Sequence, residues 1–144
     1  VLPWVATVDA FQHWIYQNPE HTTAQRDKEW INISQKFSSN FIDKNQLENY
    51  NAKQWHKQLH IFEVPFYYIE YGMAQLGAIA LWKNYKENPD KALKNYKNAL
   101  SLGYTKTIPE IFETAGISFD YSAEYIKSLM DFIQEQWKET LEAL

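Results

Sequence analysis

The chain has 144 residues, a net charge of -4 and no cysteine. That length suits one domain able to bury about two-thirds of its unfolded surface; the acidic balance and scattered basic residues give no footprint for nucleic acid or a membrane-surface helix. The lack of thiols excludes disulfides, thiolate nucleophiles and cysteine-ligated metals.

The chain opens on Val1-Leu-Pro-Trp-Val-Ala-Thr-Val, with neither an initiator Met nor the basic segment of a signal peptide. It reads as an internal cut, so a fragment is expected. Trp4, Val5, Val8, Phe11 and Ile15 recur at helical spacing and predict a first helix from Leu2 to Gln17. Pro19 ends it, because the residue before a proline avoids the helical basin. Thr22-x-x-Gln25 has the form of a capping box, and Trp30, Ile33 and Phe37 form the apolar stripe of a second helix. From Ser38 to Asn51 the chain is polar and aperiodic, which predicts its longest loop, with a short turn at Gln46–Tyr50.

A third helix is expected over Ala52 to Phe62. Val64-Pro65 interrupts it, and Pro65 suits the first turn of a fourth helix, where its missing N–H is not needed. That helix runs to Tyr85. Its Ile69, Met73, Ala74, Leu76, Ala78, Ile79, Ala80, Leu81 and Trp82 surround the axis, which predicts burial on nearly all sides. Gly72 and Gly77 each cost about 1 kcal/mol of helix propensity against Ala, and close backbone packing is the expected compensation. Asn88-Pro89 starts a fifth helix that Gly103 stops. Thr107-x-x-Glu110 opens a short sixth helix closed by Gly116. Asp120 or Ser122 caps a seventh, striped with Ile126, Leu129, Met130, Ile133, Trp137 and Leu141. About seven helices, no convincing strand and no fixed repeat make residues 1–144 an all-α single unit. Aromatics reach 17% of the chain, more than one small core needs, which points to surface meant for another domain or partner.

Chemistry concentrates in His60-Ile-Phe-Glu-Val-Pro-Phe-Tyr-Tyr-Ile-Glu-Tyr-Gly72. A histidine near one helix end and phenols on the first turns of the next can converge across the Pro65 bend. Tyr68 and Tyr71 are three apart and share a helical face, while Tyr67 lies roughly 100° around the axis from Tyr68. Phenol and imidazole donors aimed at a developing oxyanion are what the tetrahedral intermediate of peptide hydrolysis requires. Tyrosines at helical spacing also simply pack, with hydroxyls toward water, and spacing alone favours that bland reading. His56-Lys-Gln-Leu-His60 offers two imidazoles one helical turn apart, a spacing used to hold zinc. Lys57, however, stands where the glutamate of an HExxH motif belongs, so the pair reads as a surface His56 and an inward His60. Glu70 either reaches a charged partner or marks its helix's wet edge, and His13 reads as a packed core histidine.

Three stretches carry a family resemblance: Leu2-Pro-Trp-Val-Ala-Thr-Val-Asp-Ala-Phe-Gln-His-Trp-Ile-Tyr16, His60 through Gly77, and Ile108-Pro-Glu-Ile-Phe-Glu-Thr-Ala-Gly-Ile-Ser-Phe-Asp120. They resemble the oligoendopeptidase F and thimet oligopeptidase family of zinc metallopeptidases, over nearly the whole chain. The resemblance implies the C-terminal helical portion of a zincin-like catalytic domain, built around a deep channel that admits short peptides. The HExxH motif and the later glutamate ligand of that family are absent from this sequence and are expected upstream. Zinc is therefore expected in the parent enzyme and not in this fragment, which is assigned no metal ligand.

Carried to matching positions, the resemblance makes His60 and Tyr71 the catalytic residues that stabilise the transition state. Tyr68 would contact substrate, with Tyr67 a possible substitute because alignments slip by a residue across Pro65. The expectation is a cytoplasmic zinc oligoendopeptidase fragment, inactive alone. Its partners would be short peptide substrates in the parent and the missing N-terminal part of the same catalytic domain. Self-association through exposed aromatics is also expected, with no nucleic-acid or membrane partner. The alternative is a free-standing helical interaction module without catalytic activity, and an HExxH in the preceding reading frame discriminates between the two.

Overall fold

A computed structural model of the chain describes residues 1–39, 41 and 47–143. All regular structure among them is helical. Helix α1 (Leu2–Gln17) carries Pro3 in its first turn, where the ring removes no helical hydrogen bond, and ends at Asn18. Helix α2 (Thr23–Phe37) starts from a complete capping box. Thr22 Oγ1 accepts from the Gln25 N–H at 3.3 Å, and Gln25 Oε1 accepts from the Thr22 N–H at 2.8 Å. Much of the predicted loop, including Gln46 of its expected turn, lies outside the described residues; α3 (Glu48–Asn51) follows it.

The expected third helix over Ala52 to Phe62 is not continuous. A 3-10 helix (Gln54–Lys57) and α4 (His60–Glu63) replace it, separated by Gln58 at φ -90 and ψ 86. The cause is tertiary: Trp55 is buried in the core, and Gln58 is buried with both ends of its amide bonded. Helix α5 (Ile69–Glu87) likewise begins later than Pro65 predicts. Phe66 adopts a left-handed φ of 64°, so Pro65 belongs to a turn and not to a first helical turn. Helices α6 (Pro89–Ser101), α7 (Ile108–Thr114) and α8 (Ala123–Glu142) complete the order, the first two capped as the sequence predicts by Asn88 and Thr107, and the third by Ser122, one of its two candidates. The chain is all-α, with eight α-helices and one 3-10 helix among the described residues and no strand. No helix among them is long and apolar enough to cross a membrane.

The chain divides into two compact units, Val1–Gly72 and Met73–Leu144. In the first, Val8, Phe11, Trp30, Ile33 and Trp55 form the buried cluster, with Trp4, Trp14, Ile61 and Tyr68 packed against it. Trp30 meets Phe11 edge to face at 5.0 Å and Trp4 at 5.6 Å, the offset geometry that ring quadrupoles favour. His13 is not part of this core. It is exposed, 3.5 Å from Asp9 and against the ring of Phe66, because it falls on the face of α1 opposite to the buried cluster.

In the second unit the buried apolar residues are Leu76, Ile79, Ala80, Ala92, Ala99, Ala115, Leu129 and Phe132. The α5 helix is not buried all round as its composition suggests: Ala74, Ala78, Trp82 and Tyr85 are exposed. Small Ala78 leaves a furrow of about 260 Å³ lined also by Trp82, Tyr85, Leu93 and Tyr96. On α8 the predicted stripe is buried at Leu129 and leaves Trp137 and Leu141 exposed. Gly103 and Gly116, at φ 53 and 79, follow α6 and α7 as left-handed stops. The Tyr121 hydroxyl is buried without a partner among the described residues, and that burial, then neighbouring Tyr125, pushes it above the usual phenol range.

Candidate functional site

The site lies within the first unit and is laid out along α1. The indole N–H of Trp4 donates to Gln58 Oε1 at 2.9 Å. Eight residues further along the helix, Gln12 Oε1 accepts from the Phe66 backbone N–H, also at 2.9 Å. Both pairs are 54 residues apart in sequence, so residues 58–66 run beside α1 in the same direction.

At Phe66 the chain reverses. A left-handed conformation costs a non-glycine residue about 1–2 kcal/mol, and here it is held by wholly buried Gln12. The Phe66 ring lies 5.0 Å from both His13 and Tyr16. The first turn of α5, still within the first unit, then comes back to α1, where Gly72 meets Val5 so closely that a Cβ on Gly72 would stand 3.0 Å from Val5 Cγ1. This is the close backbone packing expected of Gly72. The outward and returning legs thus bring His60 and Tyr71 back to the same end of α1.

Four rings meet there. The His60 ring is 4.8 Å from Tyr68, 5.7 Å from Tyr71 and 6.1 Å from Tyr67, centroid to centroid. Tyr67 stacks parallel to His60 at 8°, while Tyr71 stands edge to face against both at 88° and 84°. Tyr68 touches Tyr71 at 5.1 Å and leans on the core, half-buried. Tyr67 and Tyr71 are 44% and 46% exposed. Tyr67 and Tyr68 both meet His60, and both precede α5 instead of lying on a helix begun at Pro65. Glu70 is exposed, so it marks the wet edge of its helix.

His60 itself is half-buried, and its Nδ1 lies 2.7 Å from Gln58 Nε2. Trp4, which bonds the other end of that amide, also carries the Lys57 ammonium 4.5 Å above its ring. His60 Nε2 and the hydroxyls of Tyr67, Tyr68 and Tyr71 are bonded to no other group among the described residues.

These residues do not fit a zinc site. His56 and His60 belong to two different short helices, so the one-turn spacing of a continuous helix does not apply. His56 is exposed and meets Trp55 edge to face at 4.0 Å, whereas His60 has Nδ1 engaged by Gln58. Among the described residues no group of three or more His, Asp or Glu side chains could hold a metal ion.

The structure brings together all four residues singled out in the sequence, His60, Tyr67, Tyr68 and Tyr71. Sequence reasoning misses the three that position them: Gln12, Gln58 and Phe66. Gln58 carried a readable signal, a long amide beside Trp55 and His60 in an aromatic-rich stretch. Nothing local marks Phe66, whose conformation answers to a side chain 54 residues away. The sequence profile described as Peptidase family M3 matches residues 1–131 of the chain. No curated protein and no solved structure matches it.

Proposed function

The chain belongs to peptidase family M3, and from that premise we propose that it supplies transition-state and substrate-binding residues to a zinc-dependent oligoendopeptidase of short peptides. The observation that carries this reading is the convergence of His60 with Tyr67, Tyr68 and Tyr71, at ring separations of 4.8 to 6.1 Å. His60 and Tyr71 are the proposed donors to the oxyanion that develops on the scissile carbonyl. Donors fixed in place beforehand need no reorganisation as that charge grows, and each is worth about 2.7–4 kcal/mol of barrier. Tyr68, anchored against the core, is the proposed substrate contact. Tyr67, stacked on His60, is the substitute substrate contact.

M3 enzymes are zinc peptidases. Zinc would polarise the scissile carbonyl and supply the nucleophile; its ligands are proposed to come from residues other than these, since the sequence contains no HExxH. The 144 residues alone are accordingly expected to cleave nothing. The apolar furrow beside Trp82, Tyr85, Leu93 and Tyr96 is the proposed seat of another part of the same catalytic domain. A cytoplasmic location belongs to the same proposal and rests on the resemblance alone.

In the complete enzyme, Tyr71→Phe is expected to lower kcat about 10²-fold or more with little change in KM, the mark of an interaction made in the transition state. Unchanged kcat removes Tyr71 from the role. Turnover of a fluorogenic peptide by the 144-residue chain alone, abolished by a chelator, overturns the assignment of the metal ligands elsewhere.

A further inference from the structure

We infer that Gln58 is a positioning residue: it fixes His60 in the tautomer that keeps its proton on Nε2, the nitrogen turned away from Gln58. An indole N–H can only donate, so the Gln58 atom 2.9 Å from Trp4 Nε1 is the amide oxygen. The other end of the same amide, 2.7 Å from His60 Nδ1, is therefore the NH₂ group. An NH₂ group can only donate, so Nδ1 is the acceptor and carries no proton. In the neutral imidazole the proton must then reside on Nε2. Each link has one permitted direction, and the direction is set by the indole of α1.

The surroundings preserve that direction. Gln58 is 8% exposed, so water does not compete effectively for its amide. Reversing the amide would oppose its NH₂ to the indole N–H, leaving two donors facing one another in a buried place. The backbone break at Gln58, φ -90 and ψ 86 between the two short helices, is what turns its side chain inward between Trp4 and His60. A continuous helix over Ala52 to Phe62 would lack that break.

The tautomer stands on these hydrogen bonds alone. Its use rests on the proposed peptidase reading, in which an Nε2–H beside the tyrosines is the form able to donate to an oxyanion. The opposite tautomer would present a lone pair there and repel it.

The test is a long-range ¹H–¹⁵N correlation spectrum of the 144-residue chain, recorded where His60 is neutral, with its signals among the four histidines identified by their loss in His60→Gln. The Nε2–H pattern is expected in the native chain. Because free imidazole side chains already favour that form, the substitution Gln58→Glu carries the weight: a carboxylate accepts from Nδ1–H, and the pattern should reverse. Gln58→Met, which removes the donor without adding an acceptor, should let a fraction of Nδ1–H appear, as should Trp4→Phe, which frees the amide to turn. A native Nδ1–H pattern, or an Nε2–H pattern retained through Gln58→Glu in a folded chain, overturns the inference. If Gln58→Glu does not fold, an Nε2–H population unchanged in both Gln58→Met and Trp4→Phe overturns it equally. In the complete enzyme a reversed tautomer should lower kcat at least tenfold; reversal with unchanged kcat upholds Gln58's effect and instead sinks the donor role proposed for His60.

Discussion

In Val1–Gly72 the buried cluster is built from large rings, Phe11, Trp30 and Trp55, whereas in Met73–Leu144 four of the buried residues are alanines. Trp4, packed against that cluster, brings an indole N–H that bonds Gln58, and buried Gln12 accepts from the Phe66 backbone N–H, so the first unit is laced by long-range side-chain bonds. Alanines and glycines allow close approach of helices but carry no chemistry. Gly77 shows this in the second unit, since a Cβ there would stand 3.3 Å from the Phe112 ring. Such packing gives a frame, and the aromatic kind gives a frame with addressable atoms.

The comparison breaks most easily at Trp30, which is 1% exposed and touches two other rings. Trp30→Ala should cost about 3–5 kcal/mol, read as a lowered urea midpoint at similar m-value. That is a large share of the roughly 5–15 kcal/mol that holds a domain folded. A cost below about 1 kcal/mol would mean the rings are not the main support of that unit.

A smaller effect is expected where the second unit depends on having no side chain. Gly77→Val should cost about 1–3 kcal/mol through overlap with Phe112, and Phe112→Leu should restore part of it in the double mutant. Additive losses would show that the two positions do not meet. The smallest effect concerns the cap of α7. The hydroxyl and then the backbone N–H of Thr107 hold the Glu110 carboxyl below its ordinary range. Its stabilisation is therefore complete above the usual glutamate range and is lost as pH falls through the lowered value. A ¹³C titration should show Glu110 ionising at lower pH than in Thr107→Ala, and identical curves would discard the cap's electrostatic part.

Where local chemistry decides the fold, the sequence was enough. Leu2–Gln17 is the helix its spacing predicts, and the caps at Thr22, Asn88 and Thr107 stand at the expected helix starts. The proximity of His60 to Tyr68 and Tyr71 was likewise legible from the Pro65 break. What was not legible depends on distant partners. The Ala52 to Phe62 segment has a helical pattern, yet Trp4 claims the Gln58 side chain. Pro65 looks like a helix start, yet Gln12 holds the next residue in a left-handed turn. His13 resembles a core residue by its neighbours Phe11 and Trp14, yet one step around α1 turns it to solvent.

The common offset of the two long bonds has a consequence for how the molecule assembles. Joining residues 54 apart costs about 3.5 kcal/mol of chain entropy from the logarithmic loop term. Trp4–Gln58 and Gln12–Phe66 close overlapping loops, so whichever forms first leaves the other a shorter loop to close and a smaller entropy to lose. Tyr68 and Tyr71 can approach one another early through local contacts, but the bearing of His60 waits for that single non-local event. The polar orientation of the aromatic cluster is therefore expected to come only with that non-local closure, and not with the local contacts among the tyrosines.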